Sequence, residues 1–488
     1  MRALSSVYGR TVLSWLVLIA PAALGCERVA AGEMIWIRLT SSVSTYNAKP
    51  GEPVHAVLTE DVTCGGDTLL PIGAAVRGTV QSVRKVGLGI KHETAALQIT
   101  FTEISVAPDE ILTVNAMVAG IDNAREEVVN GVVHGIRSTS TPQGRITSRL
   151  KYLPSLNPYP DLGLILFKAT FPIFPEPEIY LPAGTDIELK LTEPLVNPLK
   201  ARASMVSSQP TKTNEAEPST LVSSWPRRST TLAMASADIV NLAFIGSRQQ
   251  VETAFRNAGW RQSDSFSRHT FLLNFYAFLN NSGYAQAPMR PFLLEGRPSD
   301  MNWEKSLNSY ARRDHLRIWE WTQDEDSQTL WLSSSTHDNG ASLSLKYREF
   351  VHHIDPEIDH ERSKVIRDLN AAGCVESVSL VPRNNVANLT QNAIGDPVKT
   401  DRALAIVRLK DCHPVTPELA SVPTTMPYKP GNTVFRYLRR QVLTFRSDIW
   451  RANIIYGSYD LVRMTVHQWR HRSALALAGN SVKTPDRN

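Results

Sequence analysis

The chain has 488 residues, 42% hydrophobic and 20% charged, a composition ordinary for globular proteins and a length sufficient for two or three separate cores. Its formal charge of +5 is small for this size and argues against a dedicated nucleic-acid binder. Zinc-finger spacing, a basic region with heptads and an aromatic RNP sequence are all absent from it.

The N-terminus reads as a targeting segment. Arg2 and Arg10 precede the apolar run from Val12 to Ala20, and small residues Ala22, Ala23 and Gly25 follow. A positive stretch, an apolar stretch and a processing site predict a signal peptide over residues 1–25, to be kept out of the fold. Cys26 follows Ala23-Leu24-Gly25, which resembles a bacterial lipobox with an unorthodox Ala and Leu. Two outcomes stay open, lipidation of Cys26 with membrane anchoring or plain secretion with cleavage at Gly25 or near Ala31; the third, an uncleaved anchor, is disfavoured because the apolar run is short for a span. Either way the chain is expected to be exported, to the periplasm or to a membrane-anchored place in a bacterial envelope. An oxidising compartment permits disulfides. Cys374 and Cys412 flank a helix and a late strand and are a candidate pair, which leaves Cys64 over.

Residues 34–196 alternate in strand fashion. Ile35 to Leu39, Pro53 to Leu58, Ala75 to Val83 and Ala96 to Phe101 are short β-favouring runs separated by Gly, Pro, Asp and Asn clusters, as in an all-β barrel or sandwich. Leu70-Pro71-Ile72-Gly73 and Leu181-Pro182-Ala183-Gly184-Thr185 each turn the chain tightly into a new strand. With the early Thr59-Glu60-Asp61-Val62, this layout resembles the β-barrel domain of TrbI/VirB-type conjugation-channel proteins. An unrelated envelope β-domain is the alternative. His55, His92 and His134 lie far apart and form no catalytic cluster.

Residues 197–235 lack periodicity, and the stretch Gln209 to Thr220 has little to bury, so a disordered linker is expected. It would leave the flanking domains free to move.

Residues 236–412 predict an α+β domain with a mostly antiparallel sheet covered by helices. Ile239 to Ile245 reads as a buried strand. Ser247 caps a helix with an inward stripe of Val251, Phe255 and Ala258 and a stop at Gly259. Asp264 or Ser265 caps a second helix with Phe266, Phe271, Leu272, Phe275 and Leu279 inside. A third helix follows Val351 to Ile354. There Asp355 suits the N-cap, Pro356 the first helical position and Gly373 the position just past the end. A hairpin symmetric about Glu325 would set Trp319 opposite Trp331, Arg317 opposite Ser333, His315 opposite Ser335 and Arg313 opposite His337. One region could then gather several histidines with Asp338, Asp355, Glu357 and Arg317, although a one-residue slip would scatter them.

Several motifs occur here in series. They are Ala258-Gly259-Trp260, Ala287-Pro288, Gly296-Arg297-Pro298, Arg312 to Trp319, His353-Ile354-Asp355-Pro356-Glu357-Ile358-Asp359-His360-Glu361-Arg362, Ala372-Gly373 and Thr400-Asp401-Arg402. Together they resemble the LssY C-terminal domain family over about residues 236–412. The resemblance implies a bacterial envelope protein. In some members of that family the domain is fused to membrane domains of the DedA and type-2 phosphatidic-acid phosphatase kinds, whose phosphatase motifs are absent here. Asp314 departs from the family, which usually has a second basic residue there.

Two roles compete for the polar residues. As a site, His315, His337, His353 and Asp355 would hold a divalent metal, with Asp338 and Glu357 for acid–base work and Arg313 and Arg317 for an anionic substrate. As structure, Asp355 only caps, Asp359 pairs with Arg362, and at most one of His352 and His353 joins a cluster. Gly-x-Ser-x-Gly, His-Glu-x-x-His, a phosphate-binding Gly-Lys-Ser/Thr loop and Gly-x-Gly-x-x-Gly are absent.

Residues 413–488 form a linker and a basic amphipathic tail. Phe435, Leu438, Val442, Phe445 and Ile449 recur at helical spacing among Arg436, Arg439, Arg440 and Arg446. Such a helix lies on an anionic membrane or docks on its own domain. The expected function is that of a non-enzymatic or ligand-binding envelope component at a membrane surface or in a secretion-type assembly. The alternative is a metal-dependent hydrolase acting on a lipid-linked or phosphorylated substrate.

Overall fold

The computed structural model describes residues 28–137, 176–196 and 222–412, apart from 65–66, 90, 108–109, 123–124, 223, 281–282, 324–328 and 345–348. It also describes 431, 434–436, 438–439, 442–443, 462 and 465–466. The expected signal segment 1–25, Cys26, linker residues 197–221 and most of the tail lie outside the described residues.

Six strands close the N-terminal barrel: β1 (Met34–Leu39), β2 (Pro53–Leu58), β3 (Ala75–Arg84), β4 (Ala96–Ala107), β5 (Glu110–Ile121) and β6 (Asp186–Leu191). Each pairs antiparallel with the next, and β6 returns to β1. Closure leaves this barrel no free edge. Period-two alternation fills its interior: Ile35, Ile37 and Leu39 of β1 meet Leu97, Ile99 and Phe101 of β4 and Ile187, Leu189 and Leu191 of β6 in one core. Gly78 of β3 makes room for the Phe101 ring, because a Cβ there would stand 2.7 Å from Phe101 Cδ1 and from the Thr100 carbonyl oxygen.

The second body is a sheet covered on both faces. Strand β7 (Ser236–Ile239) belongs to a separate small sheet, while the main sheet contains β8 (Leu242–Gly246), β9 (Met301–Ser306), β10 (Arg313–Gln323), β11 (Thr329–Ser344), β12 (Glu349–Ile354), β13 (Val375–Pro382) and β14 (Ala403–Leu409). The main order is β9-β10-β11-β8-β14-β13, antiparallel except for the β8–β14 pair. β11 is long enough to pair with β8 through its first half and β12 through its second. Helices α1 (Arg248–Asn257) and α3 (Ile358–Ala371) cover one face, where Val251, Phe255, Val365 and Leu369 pack on Leu242, Phe244, Leu316 and Trp331. Val222, Trp225, Leu294, Val381 and Leu404 close the other face over Trp319 and Leu332.

Three local expectations change. The fold begins before residue 236: Val222 and Trp225 are buried, and Arg228–Thr231 pairs with β7. Two apolar anchors set in polar sequence are enough to order that stretch, so residues 222–235 are not linker. α2 (Arg268–Asn280) starts with the reciprocal Ser267–Thr270 bonds, and Phe266, Phe271, Leu272 and Phe275 point to solvent rather than inward. α3 begins at Ile358 with Glu357 as its cap residue, while Asp355 Oδ1 accepts the Glu357 N–H at 2.8 Å in a turn before the helix. α1 keeps the Ser247 cap, reinforced by a reciprocal bond from Gln250. Cys374 and Cys412 are joined in a disulfide, and among the described cysteine side chains none is free; the side chain of Cys64 lies outside them.

Buried contacts join the two bodies. Arg38 of β1 donates to Asp186 of β6 at 2.6 and 2.8 Å and to Asp368 of α3 at 3.3 Å. Asp368 also accepts from Lys305 at 2.9 Å and from the Trp260 indole at 3.0 Å. The Arg367 guanidinium lies 3.9 Å over the Trp36 ring, Val57 packs on Ala371, and Asn308 bonds to Arg125 N and Glu126. Charged groups this deeply buried need their partners, so the seam resists opening.

Candidate functional site

The β10–β11 register decides which polar groups meet. A bulge at Trp321 shifts the pairing away from symmetry. Trp319 faces Leu332, Arg317 faces Ser334, His315 faces Thr336, Asp314 faces His337 and Arg313 faces Asp338. Both faces of the sheet need a large apolar filler. Trp331 serves the helix-covered core and Trp319 the opposite one, so the two rings cannot share a face. The expected Trp319–Trp331, His315–Ser335 and Arg313–His337 pairs are therefore each displaced by one residue.

The slip divides the expected cluster between the two faces. On the face opposite the helices, Arg313 donates to Glu304 of β9 at 2.9 Å and to Asp338 at 3.0 Å. His315 Nε2 lies 2.9 Å from Thr336 Oγ1, and its Nδ1 stands 3.5 Å from Asp338 Oδ1. His352 Nδ1 approaches the other Asp338 oxygen at 3.2 Å. Arg317 donates to Asp238 at 2.9 Å and to the Arg290 carbonyl, with its guanidinium 4.0 Å over Phe292. Burial pushes Glu304 up to about 8 against the pull of Arg313. Burial also holds His315 neutral, down to about 3, with Arg313 and Arg317 adding to that effect and Asp338 opposing it. Asp338 stays ionised: burial opposes the charge, and the Arg313 guanidinium with the neighbouring His352 outweighs it. Glu304 Oε1, His315 Nδ1 and Asp338 Oδ1 have no hydrogen-bond partner among the described residues.

On the helix-covered face, Asp314 Oδ1 lies 2.5 Å from His337 Nδ1, and Asp314 Oδ2 accepts from Lys364 of α3. Lys364 also reaches Asp122 of the barrel at 2.5 Å. Glu361, one turn earlier on α3, joins this group. Burial and then Asp314 push its carboxyl well above the usual range. Burial disfavours charge on His337, but its bond to Asp314 overcomes this and raises its pKa.

The remaining sequence-predicted residues stand elsewhere. His353 bonds to Asp396 at 2.9 Å with its side chain 42% exposed. Asp355 closes its turn, and Glu357 pairs with Lys399 at 2.6 Å near the surface. Asp359 and Arg362 do pair, at 3.1 Å, with Asp401 completing the arginine fork. Thus Arg313, His315 and Asp338 come together with Arg317 beside them, His337 lies through the sheet, and His353, Asp355 and Glu357 are apart. Sequence reasoning missed Glu304, Asp238, Asp122 and Lys364. Asp314 was visible as the departure from the family motif, and Glu304 as an acid between Trp303 and Lys305 in a strand. The barrel partners carried no local signal.

Residues 222–404 match the family model of the LssY C-terminus. The match begins at Val222, where the sheet body begins, and ends within β14. No curated protein matches the chain. Among solved structures, ComB10 of the Com type IV secretion system of Helicobacter pylori aligns at 14% identity, covering 36% of this chain and 94% of that one, with a TM-score of 0.22. So low a score bears on neither fold nor function.

Proposed function

We propose that this chain is a non-enzymatic component of a bacterial envelope whose barrel and LssY C-terminal region act as one docked body against an anionic membrane surface. One observation carries this reading: apolar side chains face solvent on two helical stretches. On α2, Phe271 is 60% exposed, and Phe266, Leu272 and Phe275 are exposed beside it. In the tail, Arg439 and Leu443 turn inward onto the barrel, Arg439 binding Glu176, Glu178 and the Gly87 carbonyl. Val434, Phe435, Leu438 and Val442 are left facing out. An outward apolar stripe in a segment that also carries Arg436, Arg440 and Arg446 matches the chemistry of an anionic lipid surface. No helix among the described residues is long and apolar enough to cross a membrane.

The hydrolase alternative needs His315, His337, His353 and Asp355 around one centre, and their separation gives it no support. Vesicle flotation tests the proposal. Full-length protein should float with vesicles containing anionic lipid, and less with zwitterionic ones. Phe435→Ser with Leu438→Ser should weaken partitioning onto vesicles by roughly two to four orders of magnitude, since burying such side chains is worth about 1.5–3 kcal/mol each. Equal flotation of the double variant, or of a chain lacking 433–472, would remove the tail from membrane contact.

A further inference from the structure

The polar group on the helix-covered face contains three carboxylates, Asp122, Asp314 and Glu361, around one ammonium, Lys364, and one imidazole, His337. With a neutral imidazole, two negative charges are left uncompensated in a buried place. Asp314, His337 and Glu361 each offer a ligand atom, all within 4.8 Å of one another. Glu361 is only 3% exposed, and its Oε1 has no hydrogen-bond partner among the described residues. A buried carboxylate with one oxygen unpartnered, set beside an acid and an imidazole, is costly unless something compensates it.

We propose that Asp314, His337 and Glu361 form a divalent-metal site at the seam between barrel and LssY C-terminal region, with Zn²⁺ as the first candidate. Two carboxylates and one imidazole are a donor set that zinc accepts. The His337 side chain is 25% exposed, which gives an ion a route from solvent. Lys364 keeps Asp122 as its partner when the metal takes Asp314. The charge balance is definite. Without metal, two protons bound by the cluster would bring it to neutrality. Metal entry expels those two protons to solvent, and two positive charges replace two. Lys305 and Asp186 are the next charges along the seam, and they compensate one another together with Arg38 and Asp368. The site is structural: its ligands come from β10, β11 and α3, and the barrel's Asp122 holds the neighbouring ammonium. The inference is independent of the membrane reading.

The test uses untagged full-length protein, stripped with chelator and then equilibrated with Zn²⁺. Elemental analysis should find one zinc per chain. Isothermal titration in two buffers of different ionisation heat should show about two protons released per zinc below neutral pH. Glu361→Gln imitates the protonated carboxyl, so it should fold with an unchanged metal-free melting point. It should nevertheless lose the zinc-induced rise in melting temperature. His337→Gln provides a second loss of ligand. Affinity should fall beyond the roughly tenfold to hundredfold seen when groups behind the ligands are removed. Failure of the wild type to hold stoichiometric zinc, or equal zinc binding by Glu361→Gln and His337→Gln, would overturn the site and leave a proton-held network.

Discussion

Asp368→Asn is the sharpest test of how the two bodies are joined. Asp368 accepts from Trp260, Lys305 and Arg38, the last from across the seam. Asparagine keeps the shape and one acceptor oxygen, which can still serve the indole, but it removes the charge. Lys305 and Arg38 then share Asp186 alone, with Lys305 3.7 Å from it, and one positive charge is left buried and unmatched. Removing one partner of a buried pair costs about 3–5 kcal/mol. The remaining contact to Asp186 places this case at the lower end, about 3 kcal/mol, or roughly a hundredfold in the folded population. Urea unfolding followed by tryptophan fluorescence measures it, because Trp260 and Trp303 sit in the core beside the seam. A double-mutant cycle with Arg38→Met isolates the part that crosses between the bodies. A loss below about 0.5 kcal/mol, as for an exposed pair, would refute the buried-latch account.

Three further outcomes follow from the same packing. His315 is held neutral, down to about 3 against an ordinary 6.5, so its contribution is present above pH 6.5 and is lost as pH falls through that interval. His315→Asn should flatten the acid limb of a stability–pH profile by an amount of the order of 4–5 kcal/mol, while an unchanged slope would place the acid sensitivity elsewhere. Glu304 acts with the opposite sign: its raised carboxyl, about 8, favours the fold at low pH and loses that contribution as pH rises from 4.5 towards 8. Buried Asn241 bonds to the Ser335 backbone and to the Ile358 carbonyl, tying β11 to the start of α3. Asn241→Ala should lower stability by about 2–3 kcal/mol through the orphaned backbone groups, measurable by thermal or urea unfolding.

Much of the fold was legible because local periodicity carried it. The barrel strands alternate, α1 has its cap, stripe and stop, and the motif series marks the LssY C-terminal region. What was hidden depended on long-range contacts. The hairpin register was set by two tryptophans serving opposite cores, which a symmetric turn cannot anticipate. α2 looked like a buried helix because its side chains are apolar, yet several of them face outward. The seam joins Arg38 and Asp186 to Asp368 across hundreds of residues, and no spacing rule links such positions. The supposed linker hid Val222 and Trp225 among polar neighbours. The predicted gathering of polar residues depended on the register: a single-residue slip set Asp338 rather than His337 opposite Arg313 and sent His337 to the helix-covered face.

The Cys374–Cys412 bridge bears on how the chain carries load. It joins the start of β13, just after α3, to the residue where the chain leaves the sheet towards the tail. A pull on the tail therefore reaches the middle of the domain through a covalent link. It does not have to peel β14 from β8 and β13 one hydrogen bond at a time. Reduction of the bridge would change the geometry of that loading from shear on the whole helix-backed layer to unzipping from one end. A tail gripping a membrane would thus have a mechanical fuse whose rating is set by the redox state around it.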